Sequence, residues 1–150
     1  MKKIFRHIIF YLIITLTLSS ISVAQEPILG VVVNVASGDT VTVWEKGKQY
    51  IIRLYGIDIP DDKQNFGQKA KKFTSDLVFN KDLIVIPKGI DQYGRIIGII
   101  YIGKKCLNEE IIKKGLSWVS RTDCNEPSVC EIWLELETSA KNNKLGLWID

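Results

Sequence analysis

The sequence has 150 residues, a length that fits a single domain, and 25% of its residues are charged. Three of its 20 basic residues and none of its 17 acidic residues lie in the first 24 positions, so 17 of each follow. Net charge therefore does not favour a nucleic-acid partner for residues 25–150. The single histidine, His7, also lies in the first 24 positions, which excludes Ser-His-Asp catalysis, Cys-His catalysis and histidine metal ligands from the rest of the chain.

The first 24 residues have the pattern of a secretory signal peptide. Three basic residues precede an apolar run over 8–23, and Ser22-Val23-Ala24 supplies a small-residue cleavage site. The run is shorter than the roughly 20 residues of a membrane-spanning helix. We expect residues 1–24 to be removed, leaving a secreted or periplasmic protein of residues 25–150 with no stable membrane association. The alternative is an uncleaved membrane anchor.

Three cysteines follow this segment, at Cys106, Cys124 and Cys130. Export makes a disulfide permissible. Cys124 and Cys130 enclose a short loop and are the favoured pair. Cys106 ends an apolar strand, a position typical of a small buried residue rather than a reactive thiol. Zinc needs four ligands as a rule, and three scattered cysteines without histidine fall short.

The remaining pattern predicts three strands, a helix, two strands and two further helices. The strands are expected over 29–35, 40–44, 49–55, 82–87 and 95–102. Apolar positions at helical spacing predict a helix over 65–80, and Asn108 is expected to cap a short helix. Pro127 opens a last helix with one apolar stripe, Val129, Ile132, Trp133, Leu136 and Ala140. The fold class is therefore α+β, a five-stranded OB-fold-like β-barrel with about three α-helices.

Arg53 is the most informative charged residue because it lies inside a strand whose two faces are largely apolar. A partly buried guanidinium needs an anionic partner. One interpretation is an internal ion pair with an aspartate or glutamate. The other is an external anion such as phosphate, which the planar fork of arginine binds through two hydrogen bonds.

Four short stretches, taken together and in order, resemble the staphylococcal nuclease family. They are Gly38-Asp39-Thr40, then Arg53-Leu54-Tyr55-Gly56-Ile57-Asp58-Ile59-Pro60-Asp61, then Asp91-Gln92-Tyr93-Gly94-Arg95, then Asn108-Glu109 followed by Gly115. The resemblance runs from about residue 31 to residue 148 and includes the closing Lys-Leu-Gly-Leu-Trp at 144–148. One Gly-Asp-Thr alone is a weak signal, whereas four motifs in this order are specific.

The resemblance implies a calcium site and a calcium-dependent phosphodiesterase. Asp39 and Asp58 would be calcium ligands, with the backbone carbonyl of Ile59 as a third. Oxygen ligands suit calcium or magnesium rather than a softer metal. Calcium also tolerates an irregular site completed by water, which suits a set with only two carboxylates.

The resemblance also implies roles in hydrolysis. Arg53 and Arg95 would hold the scissile phosphate and stabilise the charge that develops on it. Asp61 takes the place of the glutamate that positions or deprotonates the attacking water, and Tyr93 would lie beside the bound nucleotide. Pro60 restricts the preceding Ile59 to extended geometry.

Three departures from the family pattern bear on activity. Asp61 is one methylene shorter than the usual glutamate, and Ser37 stands where the family often has another aspartate. The stretch that usually carries tyrosine after the second helix reads Trp118-Val119-Ser120-Arg121. The arginines and the two metal-ligand aspartates are unchanged.

The leading hypothesis is an exported, monomeric nuclease that cuts DNA and RNA, as single strands or frayed duplexes, with broad specificity. The alternative is a catalytically weak or inactive barrel that binds nucleic acid or protein, and Asp61 is the residue that favours it. A third hypothesis, an oligosaccharide-binding barrel, has only fold analogy to support it.

Overall fold

The five predicted strands and three predicted helices occur in the predicted order, and three two-residue strands that were not predicted lie between them. A computed structural model describes residues 25–149, and the predicted signal peptide over 1–24 lies outside the described residues. The strands are β1 (Ile28–Ser37), β2 (Thr40–Glu45), β3 (Lys48–Leu54), β4 (Ile57–Asp58), β5 (Asp82–Ile90), β6 (Ile96–Ile102), β7 (Lys105–Cys106) and β8 (Trp118–Val119). The α-helices are α1 (Asn65–Val78), α2 (Leu107–Lys113) and α3 (Pro127–Asn142), and a 3₁₀ turn follows at Gly146–Trp148.

Five strands close into a barrel. Their order is β3-β2-β1-β5-β6, and β3 also pairs with β6 in parallel, which joins the two edges. The closing register places Arg53 opposite Ile97 and Leu54 opposite Gly98. The expected fold class, an α+β protein with a five-stranded OB-like barrel, is confirmed.

Alternation of apolar residues builds the barrel interior. Successive side chains along a strand point to opposite faces of the sheet. The fully buried residues on these strands include Val32, Val41, Val43, Ile52 and Ile100. The β2–β3 turn consists of Lys46 and Gly47, which both have positive φ (46° and 90°). Turns of this kind match the right-handed twist of the paired strands.

Helix α3 packs against helix α2 and strand β8 with a stripe that differs from the predicted one. Trp133 and Ala140 are buried as expected, but Ile132 is 52% exposed. The buried positions are Cys130, Trp133, Glu137 and Ala140, spaced by three or four residues, and Ile132 lies a third of a turn away from them. A buried glutamate thus takes a place on the apolar face.

Cys106 lies at the start of helix α2, Cys130 lies in helix α3, and Cys124 lies in the loop before α3. Cys124 and Cys130 are disulfide-bonded, with 5.8 Å between their Cα atoms, and this is the pair that the sequence favours. Cys106 is buried and free. Burial raises the pKa of its thiol to about 11, so the sulfur remains protonated and unreactive at neutral pH.

Asn108 does not cap helix α2, contrary to the prediction. Cys106 occupies the capping position, and Asn108 lies within the first turn of the helix, fully buried. Its side chain accepts a hydrogen bond from the Ile100 amide (3.3 Å) and donates one to the Tyr55 carbonyl (2.9 Å). The amide therefore ties α2 to β6 and to the segment that follows β3.

Across residues 25–149, none of the helices combines the length and the apolar character that a membrane crossing requires.

Candidate functional site

Arg53 joins the two aspartates that the resemblance implies as metal ligands. Its Nη1 donates to Asp39 Oδ2 at 2.9 Å, and its Nη2 donates to Asp58 Oδ1 at 3.0 Å. The side chains of Arg53, Asp39 and Asp58 are 25%, 12% and 33% exposed. The internal ion pair, one of the two interpretations of Arg53, is thus present, and both of its partners belong to the predicted site.

The turn that carries Asp39 is fixed from several sides. Asp39 Oδ1 accepts hydrogen bonds from Ser37 Oγ (2.7 Å) and Thr40 Oγ1 (2.8 Å). Thr74 of α1 donates to the Gly38 carbonyl at 2.7 Å. A Cβ at Gly38 would lie 2.7 Å from Ala70 Cβ, so helix and turn approach this closely only because residue 38 is glycine. Ser37, a departure from the family pattern, orients the aspartate carboxylate here.

Asp58 and Ile59 lie beside the Asp39 turn. Asp58 ends β4, where it pairs with Trp118 of β8. The Ile59 side chain reaches to within 3.0 Å of the position that a Gly38 Cβ would take. The β1–β2 turn and the end of β4 therefore converge, which brings Asp39 and Asp58 to the same guanidinium.

Glu137 supports this arrangement, and sequence reasoning missed it. Its side chain is 4% exposed, and Oε1 accepts the Val119 amide of β8 at 2.9 Å. Oε2 binds Lys141 Nζ at 2.7 Å. Because β8 pairs with β4, the carboxylate links helix α3 to the strand that carries Asp58. A sequence signal did exist: Glu137 falls three or four residues from Trp133 and Ala140, on the apolar stripe.

Arg95 immediately precedes β6, on the same side of the sheet as Arg53. It precedes Ile97 by two residues, and Ile97 is the register partner of Arg53. Its Nε donates to Asp91 Oδ2 at 2.6 Å, and its guanidinium lies 5.4 Å from the Tyr93 ring centre. Tyr93 is 74% exposed, so its ring is open to a ligand.

Asp91 organises this turn. Its Oδ1 accepts the amides of Tyr93 (2.9 Å) and Arg95 (3.0 Å). Burial acts to raise the pKa of Asp91, but the hydrogen bonds from the Arg95 side chain and from the two amides outweigh it, so the pKa lies below its ordinary value. Asp91 therefore stays ionised and keeps Arg95 in place.

Asp61 lies in an exposed turn after β4. Its Oδ1 accepts the Lys63 amide at 2.8 Å, and its backbone carbonyl accepts the Gln64 amide at 2.8 Å. Within residues 25–149, its side chain forms no hydrogen bond with Arg53, Asp39 or Asp58. The neighbouring Asp62 pairs with Lys71 at 3.5 Å. The loop thus uses one carboxylate oxygen of Asp61 to stabilise its own turn.

A groove of about 550 Å³ adjoins Arg53. The segment around the disulfide, residues 122–127, lines one side of it. The lining residues are Arg53, Leu54, Tyr55, Gly56, Lys88, Ile97, Thr122, Asp123, Asn125, Glu126 and Pro127. The volume falls within the range of about 300–1,000 Å³ typical of small-molecule sites.

Tyr55 fixes the wall of the groove. Its hydroxyl accepts the amides of Asn125 (2.9 Å) and Glu126 (3.0 Å) and donates to Asn125 Oδ1 (2.8 Å). Its ring packs edge-on against Trp133, with 6.1 Å between ring centres. The residue two positions after Arg53 therefore holds the opposite side of the same groove.

Asp39, Asp58 and the Ile59 carbonyl are a small set of oxygen ligands of the kind that a hard cation prefers. Among the described residues, no three carboxylate, cysteine or histidine side chains form a metal cluster. Two carboxylates nevertheless converge on one guanidinium, which shows that this position favours positive charge. With the Ile59 carbonyl and water, Asp39 and Asp58 suit the flexible, all-oxygen coordination of calcium.

Comparison with known proteins gives a consistent picture. The family model described as "Staphylococcal nuclease homologue" matches residues 51–150. An "Uncharacterized endonuclease" of Haemophilus influenzae is 38% identical over 79% of this chain, which spans 65% of that protein, less than two thirds of its length. The "Micrococcal nuclease" of Shigella flexneri is 31% identical over 81% of this chain and 74% of its own. An "Uncharacterized endonuclease" of Escherichia coli is 33% identical over 93% of this chain and 90% of its own.

Proposed function

The chain belongs to the staphylococcal nuclease family, and we propose that it is an exported, calcium-dependent nuclease that hydrolyses phosphodiester bonds of DNA and RNA. The observation that carries this proposal is the convergence of Asp39 and Asp58 on Arg53 at one end of a nucleotide-sized groove. A monomer exported through a cleaved signal peptide over 1–24 is part of the same proposal.

Arg53 and Arg95 are the proposed phosphate ligands. Arg53 lines the groove, and because Nη1 and Nη2 each use one N–H for an aspartate, each keeps a second N–H that can bind a phosphate oxygen. Asp91 binds Nε of Arg95, which leaves the two terminal nitrogens of Arg95 for phosphate. Both groups are held in place before substrate arrives, so they stabilise the charge of the transition state without reorganising.

Asp39, Asp58 and the Ile59 carbonyl are the proposed calcium ligands. Calcium, when bound there, would stabilise negative charge on a phosphate oxygen. The hydrogen bonds of Ser37 and Thr40 keep the Asp39 carboxylate turned toward Arg53, and the β4–β8 pairing keeps Asp58 beside it.

Asp61 and Tyr93 complete the proposed site. Asp61 Oδ1 is engaged with the Lys63 amide, so Oδ2 is the oxygen left to orient a water molecule. The exposed Tyr93 ring, close to the Arg95 guanidinium, offers a face for a base. Contacts of this kind recognise phosphates and the faces of bases rather than base edges. This supports broad specificity on single-stranded or frayed nucleic acid.

A second candidate is a catalytically weak or inactive module that binds nucleic acid or protein. The observation that favours it is the short Asp61 side chain, which is tied to its own turn. A carboxylate held in this way reaches less far toward the groove than a glutamate at the same position.

One assay separates the two candidates. Purified residues 25–150 are incubated with single-stranded DNA, and in parallel with RNA, in calcium or in calcium with excess chelator. The proposed nuclease degrades both polymers in calcium and stops when the chelator is added. Binding without cleavage in calcium would establish the second candidate instead.

A further inference from the structure

We propose that Lys88 forms a second phosphate subsite, which binds the phosphate next to the one held by Arg53. The inference rests on the proposed nuclease function and adds a binding site to it. Lys88 lies on β5 and lines the same groove as Arg53.

The sheet register fixes how far apart the backbones of Arg53 and Lys88 lie. Ile97 of β6 pairs with Arg53 on one side and with Gly89 on the other. Lys88 is the extra residue of a β-bulge between Pro87 and Gly89. Arg53 and Lys88 therefore flank β6 on two different strands, with backbones roughly 10 Å apart at ordinary strand spacing. Two long side chains that face one groove can hold two consecutive phosphates at this separation.

The space between the two cations suits a nucleoside. Ile97, which pairs with Arg53 on one side and Gly89 on the other, places a partly exposed apolar side chain between the two cations, and the groove volume is about 550 Å³. A sugar and base lie against apolar surface while the phosphates at either end bind the cations. The groove thus has the alternation of charged, apolar and charged surface that a nucleotide chain requires.

Lys88 forms an ion pair with Glu126 that a phosphate can replace. Its Nζ bonds Glu126 Oε2 at 2.5 Å across the groove, and the two side chains are 23% and 40% exposed. A partly exposed ion pair of this kind contributes little to stability. Phosphate, with more negative charge than a carboxylate, can therefore take the place of Glu126, whose side chain then turns into water.

The wall that carries Glu126 stays fixed during this exchange. The Glu126 amide is bound by the Tyr55 hydroxyl at 3.0 Å, and the disulfide closes the segment just beyond it. Asp123 on the same wall is negative, so it directs a phosphate toward Lys88 rather than along the wall.

The test compares two substrates that differ by one phosphate. A dinucleoside monophosphate carries only the scissile phosphate, and a trinucleoside diphosphate carries one more. Lys88→Gln is expected to raise KM for the longer substrate by about tenfold and to leave KM for the shorter one unchanged. Glu126→Gln is expected to lower KM for the longer substrate only, because it frees Lys88.

Lys104→Gln is the matched control, since Lys104 is exposed in the β6–β7 turn away from the groove. Equal effects of Lys88→Gln on both substrates, or no effect on either, would overturn the inference. If the parent cuts neither substrate, the proposed function fails, and the dissociation constants of the two oligonucleotides decide the inference by the same comparison.

Discussion

At the residue scale, Asp61, the proposed water-positioning residue, has a side chain one methylene shorter than the family's glutamate. A misplacement of 1 Å in a catalytic site can cost about 10²-fold in rate. We therefore predict that Asp61→Glu raises kcat on single-stranded DNA by up to about 10²-fold. Calcium affinity should stay roughly the same. The free energy of unfolding should change by no more than about 0.5 kcal/mol, because the residue is exposed.

Asp61→Ala and Asp62→Ala complete this experiment. Removing the Asp61 carboxylate should lower kcat below that of the parent, whereas Asp62→Ala should leave it unchanged, since Asp62 pairs with Lys71. If Asp62→Ala abolishes cleavage while both Asp61 variants behave like the parent, the water-positioning role belongs to Asp62.

The role of a single residue was predictable where its surroundings required a particular kind of partner. A guanidinium inside an apolar strand requires an anion, and the structure supplies Asp39 and Asp58 at 2.9 and 3.0 Å from Arg53. The identity of the partner was not predictable from spacing, because Asp39 and Asp58 reach Arg53 only after the barrel has closed. Asn108 was misjudged because a buried asparagine and a capping asparagine look alike until its hydrogen-bond partners are known.

At the scale of elements, β8 and helix α3 hold the strand that carries Asp58. Glu137→Leu would leave the Val119 amide buried without its acceptor, which costs about 1–3 kcal/mol of unfolding free energy. We predict that this loss is accompanied by a lower kcat, because β4 is paired with β8. Urea unfolding and nuclease rates measure the two effects.

Glu137→Gln and Glu135→Leu are the controls for this prediction. Glutamine keeps an oxygen that accepts the Val119 amide and should retain most of the activity. Glu135 is exposed on the same helix, so its replacement should change stability by no more than about 0.5 kcal/mol. Parent-like kcat in Glu137→Leu would show that the link from α3 to Asp58 has no catalytic effect.

The disulfide gives a second prediction at this scale. In the chain-entropy model, a loop as short as the one between Cys124 and Cys130 contributes roughly 2–3 kcal/mol to stability. Cys124→Ser with Cys130→Ser should lower the unfolding free energy by this amount and raise KM, because the loop forms the groove wall. Peptide mapping without reductant should find Cys106 as the free thiol, and two free thiols at 124 and 130 would contradict the pairing.

The elements themselves were largely predictable because period-2 and helical apolar patterns are local properties of the sequence. The stripe of α3 was not, since burial of Glu137 and exposure of Ile132 depend on how the helix lies on β8. The groove also escaped prediction, because its two walls come from segments more than 60 residues apart, β3 and the disulfide loop.

At the scale of the whole molecule, the proposed export would leave residues 25–150 as the working chain. β1 begins at Ile28, so cleavage after residue 24 leaves the barrel strands intact. We predict that the exported protein begins near Gln25 or Glu26, because Ser22-Val23-Ala24 supplies the cleavage site. Intact mass measured on the exported protein checks this, and retention of Met1 would contradict it.

We propose that Arg53 acts on the scissile phosphate as well as pairing with Asp39 and Asp58. The most direct test of this proposal measures kcat on single-stranded DNA at saturating calcium for the parent and for Arg53→Ala, with urea unfolding of both in parallel. We predict that kcat falls by on the order of 10²-fold or more in the variant under conditions where it remains folded, because stabilisation of the phosphate charge is lost. A variant that cuts as fast as the parent and merely unfolds at lower urea would show that Arg53 is a structural ion pair alone.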